Sequence, residues 1–410
     1  MIVRRFLLWA RTASASDRAA GTRALAEAYV RSPMMIEDRR EAETAMLSML
    51  DDPSALVRRA LAEALAGEDA PRAVILGLMH DQSDIAAMVL AASPVLTEAD
   101  LVDAVAVGDE LAQIAVARRA DVTISLAAAI VEVACPAAIR QLLCNPSAQI
   151  AASTLQRATD RCGDIAEVRE ALLARPDLPV AIRHQLALQV AAALSVWAGG
   201  CGLMSRDRAD RVTRESSEKV AVKLAMRPEA FEAELMDLIG QLKASDRLTP
   251  GLILRSLLSG EAALAEAALA DLAGMPLRRA SAILHDRRGS SVLPLCRKAG
   301  IPEALIPAFV AAVEAVREIG APPHGAARAA TSRRIVERVL IACDASDVAD
   351  NAALMALLRR FEAEAAREEA METARLLADD AALAALLEID PHLTLLADDG
   401  IADRQLPIAA

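Results

Sequence analysis

The side chains best placed to do chemistry crowd one basic turn. Arg278, Arg279, Arg287 and Arg288 are followed at once by Ser290 and Ser291. Guanidinium groups grip carboxylate or phosphate oxygens in pairs. A helix opening near Val292 would add backbone N–H groups that favour an anion. These six residues are the candidate site for an anion or an acidic partner segment. The alternative is a polar turn in which a serine caps the next helix.

Other chemistry finds little support. The five histidines are His80, His184, His285, His324 and His392. None pairs at i,i+4, and no His-Glu-x-x-His occurs. Some helical-repeat enzymes hold iron through His-Glu dipeptides. This chain has none, only His80-Asp81 and His285-Asp286, far apart. A metal needs several converging ligands, so no metal and no cofactor are expected. The Gly-x-Gly-x-x-Gly and P-loop patterns and the Gly-x-Ser-x-Gly elbow are missing. Carboxylates abound, but on helix faces their spacing singles out no catalytic pair. The chain is expected not to be an enzyme. Cys135, Cys144, Cys162, Cys201, Cys296 and Cys343 form no Cys-x-x-Cys pair. That scatter reads as reduced, mostly buried thiols in a cytoplasmic protein.

Charge narrows the partners. The net charge is −12. Between Ser346 and Ala410 stand 14 acidic and 5 basic residues. From Pro276 to Gly300, five Arg and Lys298 face only Asp286. Met1 to Arg31 is also basic, with six Arg against Asp17 and Glu27. An acidic total argues against nucleic acid, whose binding rests on phosphate neutralisation. A helical-repeat DNA glycosylase would need a basic groove with aromatic contacts, and Trp9 and Trp197 are the only tryptophans. The expected partner is a protein.

Two apolar stretches bear on membranes. Phe6 to Ala10 is too short for a secretory signal and reads as part of an amphipathic first helix. Leu186 to Met204 has no charge over 19 residues, close to spanning length. Gln189, Ser195 and the cluster Gly199-Gly200-Cys201-Gly202 argue against a span, and the glycines should end a helix near Ala198. No stable membrane span is expected.

The elements that would position these groups are helices. Hydrophobic residues make up 54% of the chain and aromatics only 2%. Ala and Leu must fill the core, which suits thin layers of closely packed helices. Pro, Gly, Asp or Asn interrupts short amphipathic runs every ten to fifteen residues, and β patterning is nearly lacking. The stretch from Asp52 (DPSALVRRALA) opens a helix with a capping turn. Weaker echoes start at Asp81, Asp109, Asn145 and Arg175, at steps of 29, 28, 36 and 30 residues. A step near thirty fits two helices and two turns, and one such pair cannot bury its apolar face alone. The expected fold is all-α: an α-solenoid of HEAT-like helix pairs followed by a helical C-terminal region. Variant leucine-rich helical repeats remain an alternative label. Val57 and Leu61 should be buried between neighbouring pairs, with Arg58 exposed or paired.

A second pattern follows the glycine cluster. Leu248-Thr249-Pro250-Gly251-Leu252-Ile253-Leu254-Arg255 opens a capped helix. Leu272-Ala273-Gly274-Met275-Pro276-Leu277 closes one helix and begins another. Arg297-Lys298-Ala299-Gly300-Ile301-Pro302-Glu303-Ala304 repeats that turn. Together with the Asp-Pro-Ser repeat, these segments resemble the bacterial family called domain of unknown function 2336, over roughly Ala42 to Arg317. The resemblance implies a bacterial helical protein and assigns no residue a chemical role.

The regions expected are 1–35, amphipathic N-terminal helices; 36–204, the HEAT-like array; 205–319, a second helical region; and 326–410, an acidic helical C-terminal region. Gly320 to Gly325 reads as a linker. It would let the helix with Glu362, Glu364, Glu368, Glu369 and Glu372 cover the basic stretch. The alternative is a tail packed on its own stripe of Ala353, Leu354, Leu357, Leu358 and Phe361. The function expected is a non-enzymatic protein-interaction scaffold or adaptor. The alternative is a regulatory sensor binding a phosphorylated small molecule at the basic turn.

Overall fold

The computed structural model describes residues 2–201, 205–225, 232–286, 291–320, 327–344 and 352–389. Among them are 22 α-helices and no strand, so the chain is all-α. It divides into two compact units, Met1–Leu194 and Ser195–Ala410.

The first unit holds α1 (Ile2–Ala10), α2 (Ala15–Arg31), α3 (Ile36–Met49), α4 (Ala55–Leu65), α5 (Arg72–Met79), α6 (Ser83–Ala92) and α7 (Glu98–Val107). It continues through α8 (Glu110–Ala117), α9 (Ile124–Val133), α10 (Pro136–Leu143), α11 (Ala152–Cys162), α12 (Ala166–Ala174) and the start of α13 (Val180–Gly200). Helices two apart in sequence pack together: α2, α4, α6, α8, α10 and α12 form one row. A second row contains α1, α3 and α5, then α7, α9 and α11. The N-terminal helices thus belong to these rows. Val57 and Leu61 of α4 are fully buried, as their spacing implies. The helices from α5 to α13 in the second row start 26 to 28 residues apart. Asp52, Asp81 and Asp109 precede helices of the first row, whereas Asn145 and Arg175 precede helices of the second. The 36-residue step is therefore where the sequence pattern changes row.

Buried polar side chains tie each turn to the one before. Both Arg18 and Arg58 make two-pronged pairs, to Asp52 at 2.7 and 2.8 Å and to Asp81 at 2.6 and 3.0 Å. Arg58 also donates to the Asp52 carbonyl at 2.7 Å. Farther on, Arg119 donates to the carbonyls of Leu90 and Ser93 at 2.9 and 3.0 Å. Asn145 takes those of Ala117 and Arg119 at 3.0 and 2.7 Å, and Arg175 takes that of Leu143 at 3.1 Å. The cause is local. Helix ends leave carbonyls without N–H partners, and Pro94 brings none for Leu90.

The second unit contains the end of α13, then α14 (Arg206–Ala225), α15 (Glu232–Ala244), α16 (Pro250–Leu258), α17 (Ala263–Leu272) and α18 (Leu277–His285). It closes with α19 (Val292–Lys298), α20 (Ile306–Ile319), α21 (Ala327–Asp344) and α22 (Ala352–Ile389). Helix α13 runs through Gly199 and Gly200, two residues beyond the expected stop. Among the described residues no helix is long and apolar enough to cross a membrane. At the centre of the unit lies α16, packed against α14, α17, α20 and α21. Thr249 caps it, accepting from Leu252 N–H at 3.2 Å, and every residue from Leu252 to Leu258 is buried. Gly274 and Gly300 end their helices at φ +58° and +74°, a left-handed turn that other residues resist. The following N–H in each case reaches back five residues, Met275 to Ala270 and Ile301 to Cys296, both at 3.0 Å.

Candidate functional site

The basic turn is only partly described. Arg287, Arg288 and Ser290 lie outside the described residues. Arg278 and Arg279 are exposed on α18. Arg317 of α20 caps the end of that helix, donating to the carbonyls of Leu284 and Ile283 at 2.8 and 3.1 Å. Ser291 precedes α19 but its hydroxyl makes no capping bond, and α19 is only seven residues long. Of the other cations in this stretch, Arg297 pairs with Glu303 at 2.8 Å.

A second basic cluster, built around Arg255, escaped the sequence reading. Arg255 ends the Leu-Thr-Pro-Gly-Leu-Ile-Leu-Arg stretch and sits in the buried heart of α16, its side chain only 8% exposed. A buried guanidinium must be matched by acceptors. Its Nε donates to Glu218 of α14 at 3.0 Å, and Nη1 donates to Glu364 of α22 at 2.5 Å. The guanidinium carbon lies 4.5 Å from the centre of the Phe361 ring, a cation–π contact. Nη2 has no hydrogen-bond partner. Lys219 of α14 adds contacts to Glu364 at 3.5 Å and Glu368 at 3.0 Å. Burial alone would raise the Glu364 carboxyl; the Arg255 hydrogen bond and the charges of Arg255 and Lys219 outweigh it, holding the pKa below the usual range.

These helices border an open cavity of about 730 Å³ between α14, α16, α21 and α22. Its walls carry six cations, Lys219, Lys223, Arg255, Arg328, Arg367 and Arg375, against three carboxylates, Glu364, Glu368 and Glu372. Val222, Leu258, Val336, Phe361 and Met371 supply apolar wall. Arg328 pairs with Glu261, but its buried Nε has no partner, and burial depresses its pKa. Such a cavity can hold a molecule that is negative at one end and apolar at the other.

The acidic helix therefore meets a different target from the expected one. Glu364, Glu368 and Glu369 of α22 pair with Arg255, Lys219 and Arg333, on α16, α14 and α21, and among the described residues with none of the stretch 276–300. The apolar stripe packs as its alternative reading had it at Leu354, Leu358 and Phe361, which are buried, while Ala353 is exposed.

Comparison with known families places this architecture. The sequence pattern of an uncharacterised protein family conserved in bacteria, domain of unknown function 2336, matches residues 85–349. The chain belongs to that family. The match contains all of α16, both left-handed glycine turns and most of the cavity wall, including Lys219, Arg255 and Arg328. It starts beyond the Asp52-Pro53-Ser54 turn, so that turn lies outside it. Neither the curated proteins nor the solved structures contain a match to the chain.

Among the described residues no group of His, Cys, Asp and Glu converges as metal ligands would.

Proposed function

We propose that this protein is a non-enzymatic interaction scaffold, acting in the bacterial cytoplasm through the surface of its first unit. The observation that carries this reading is an apolar edge on α7 to α9. Val107, Leu111 and Val133 are each more than half exposed, Val107 at 89%. The ends of α7 and α9 lie side by side. Gln113 of α8 donates to the carbonyls of Val105 and Gly108 at 3.1 and 3.4 Å and accepts from Cys135 N–H at 2.8 Å. Val107 and Val133 thus stand on adjacent turns of a braced framework. Exposed aliphatic side chains grouped on one edge favour burial against a partner. A protein surface is the natural complement, because the rows offer many adjacent turns and binding on such arrays is spread along the surface.

A photo-crosslinking side chain placed at Val107, and separately at Val133, tests this in extracts of the native host. The scaffold reading expects both positions to capture the same protein, and Val107→Lys to reduce capture from position 133. Exposed Asp103 on α7 serves as the control position. Capture no greater than from position 103 would refute the reading.

A further inference from the structure

The cavity of the second unit has a chemistry that the scaffold reading does not use. In a chain of net charge −12, six cations and three carboxylates line one solvent-open pocket. Surface lysines and arginines scattered at random would not gather on four different helices around one void. The cations also differ in kind. Lys223 and Arg367 are exposed, free to meet an anion arriving from water. Arg255 and Arg328 lie deeper, each with a buried nitrogen that lacks an acceptor. Interleaved with them, Val222, Leu258, Phe361 and Met371 supply apolar lining. A volume of about 730 Å³ is in the range of small-molecule sites.

We propose that this cavity binds an amphipathic organic anion, a carboxylate or phosphate on an apolar body, and that Glu364 occupies the anion position when the ligand is away. The Glu364 carboxylate lies 2.5 Å from Arg255 and 3.5 Å from Lys219, the arrangement a ligand's charged head would adopt. It belongs to α22, whose surface beyond this point is exposed except at scattered positions. A ligand head would exchange with Glu364 on the two cations, and its body would lie over Met371. An isolated phosphate would satisfy the cations and leave the exposed Met371 uncovered. A neutral apolar molecule would gain nothing from the exposed cations Lys223 and Arg367. Only a molecule with both ends matches both kinds of lining.

The test uses the full-length protein and the fluorescent anion 1-anilinonaphthalene-8-sulfonate, with N-phenyl-1-naphthylamine as its neutral counterpart. The sulfonate should bind at low salt, weaken as salt rises, and exceed the neutral probe in affinity. Lys223→Glu reverses an exposed charge on the wall and should weaken the sulfonate by about fivefold, leaving the neutral probe unchanged. Glu364→Gln removes the internal competitor and should tighten the sulfonate by a similar factor. Should Glu364→Gln perturb folding, Lys223→Glu and Arg367→Glu still decide, since both residues are exposed. Competition then sorts the head group: decanoate and decyl phosphate should displace the probe, the better of the two naming the class, and inorganic phosphate should not. Equal affinity for the charged and neutral probes would overturn the proposal. So would displacement by inorganic phosphate alone at matched ionic strength, or sulfonate binding indifferent to all three substitutions.

Discussion

Replacing Arg119 by Leu should loosen the first unit between α6 and α8. The Arg119 side chain is only 3% exposed and links the turn after α8 to the end of α6. Its guanidinium supplies the donors that the Leu90 and Ser93 carbonyls lack at the end of α6, at 2.9 and 3.0 Å. Pro94 follows and carries no N–H, so the helix cannot replace them. The pair with Asp121 contributes little to the ledger, because that carboxylate is 67% exposed. Leaving two buried carbonyls unmatched costs about 1–3 kcal/mol each, and a leucine filling part of the space returns some of it. A net loss of about 3 kcal/mol follows, which corresponds to about a hundredfold in an opening equilibrium. Amide hydrogen exchange reads this locally, without assuming that two units unfold as one. Peptides from α6 and α8 should lose about a hundredfold of protection in Arg119→Leu. The neighbouring Arg118 is exposed, so Arg118→Leu is the matched control and should change protection little. If the two variants exchanged alike, turn-to-turn bracing by buried arginines would be the wrong account of how the helices of a row hold together.

Leu61→Ala should cost about 2–5 kcal/mol in urea unfolding, because Leu61 is fully buried; a loss below about 0.5 kcal/mol would show that α4 is packed on another face. Arg18 holds the Asp52 carboxyl below its ordinary range, chiefly through their hydrogen bond. That stabilisation is complete above the unfolded-state value near about pH 4 and is lost as pH falls through the lowered folded value. Asp52→Asn should therefore flatten the acid limb of the stability curve, and an unchanged limb would remove the pair from the account. Burial pushes the Cys296 thiol up to about 11 and also raises that of Cys162, whereas Cys144 and Cys201 are exposed. Ellman's reagent at pH 8 should label the exposed two first and reach Cys296 only on unfolding; early labelling of Cys296 would contradict the packing of α19. Gly274→Ala should cost about 1 kcal/mol through backbone strain alone, since nothing crowds a Cβ there; an effect on thermal stability as small as that of an exposed surface change would argue against the left-handed turn.

Helix content and the α4 core face were legible because periodicity is local. Val57 and Leu61 share a face by spacing alone, and Gly274-Met275-Pro276 announces a helix end followed by a helix start. The row structure was less legible. Asp52 and Asn145 head similar turns in sequence, yet one leads into α4 and the other into α11, in different rows. A capping turn looks the same before either helix of a pair, so turn chemistry fixes that a helix starts, not which layer it joins. Arg119 and Arg175 were equally hard to read. Each stands two residues before an aspartate and resembles a surface turn, whereas its carbonyl partners lie 26 to 32 residues away in sequence.

The Arg255 site was missed for a related reason. Segment charge identified α22 as acidic and pointed it at the most basic stretch, 276–300. Charge counts set the sign of an attraction but not its strength, which depends on solvent. An exposed arginine such as Arg278 keeps its hydration and gains little from a carboxylate. Arg255 has lost its hydration inside α16, so it needs the carboxylates of Glu218 and Glu364. In sequence it is one cation within a leucine-rich helical run, and nothing local marks it as buried. Only the packing of α14, α21 and α22 around α16 turns it into a buried cation held between two carboxylates. A lone arginine within an apolar helical run, with glutamates on distant amphipathic helices, is the sequence signal that could have found it.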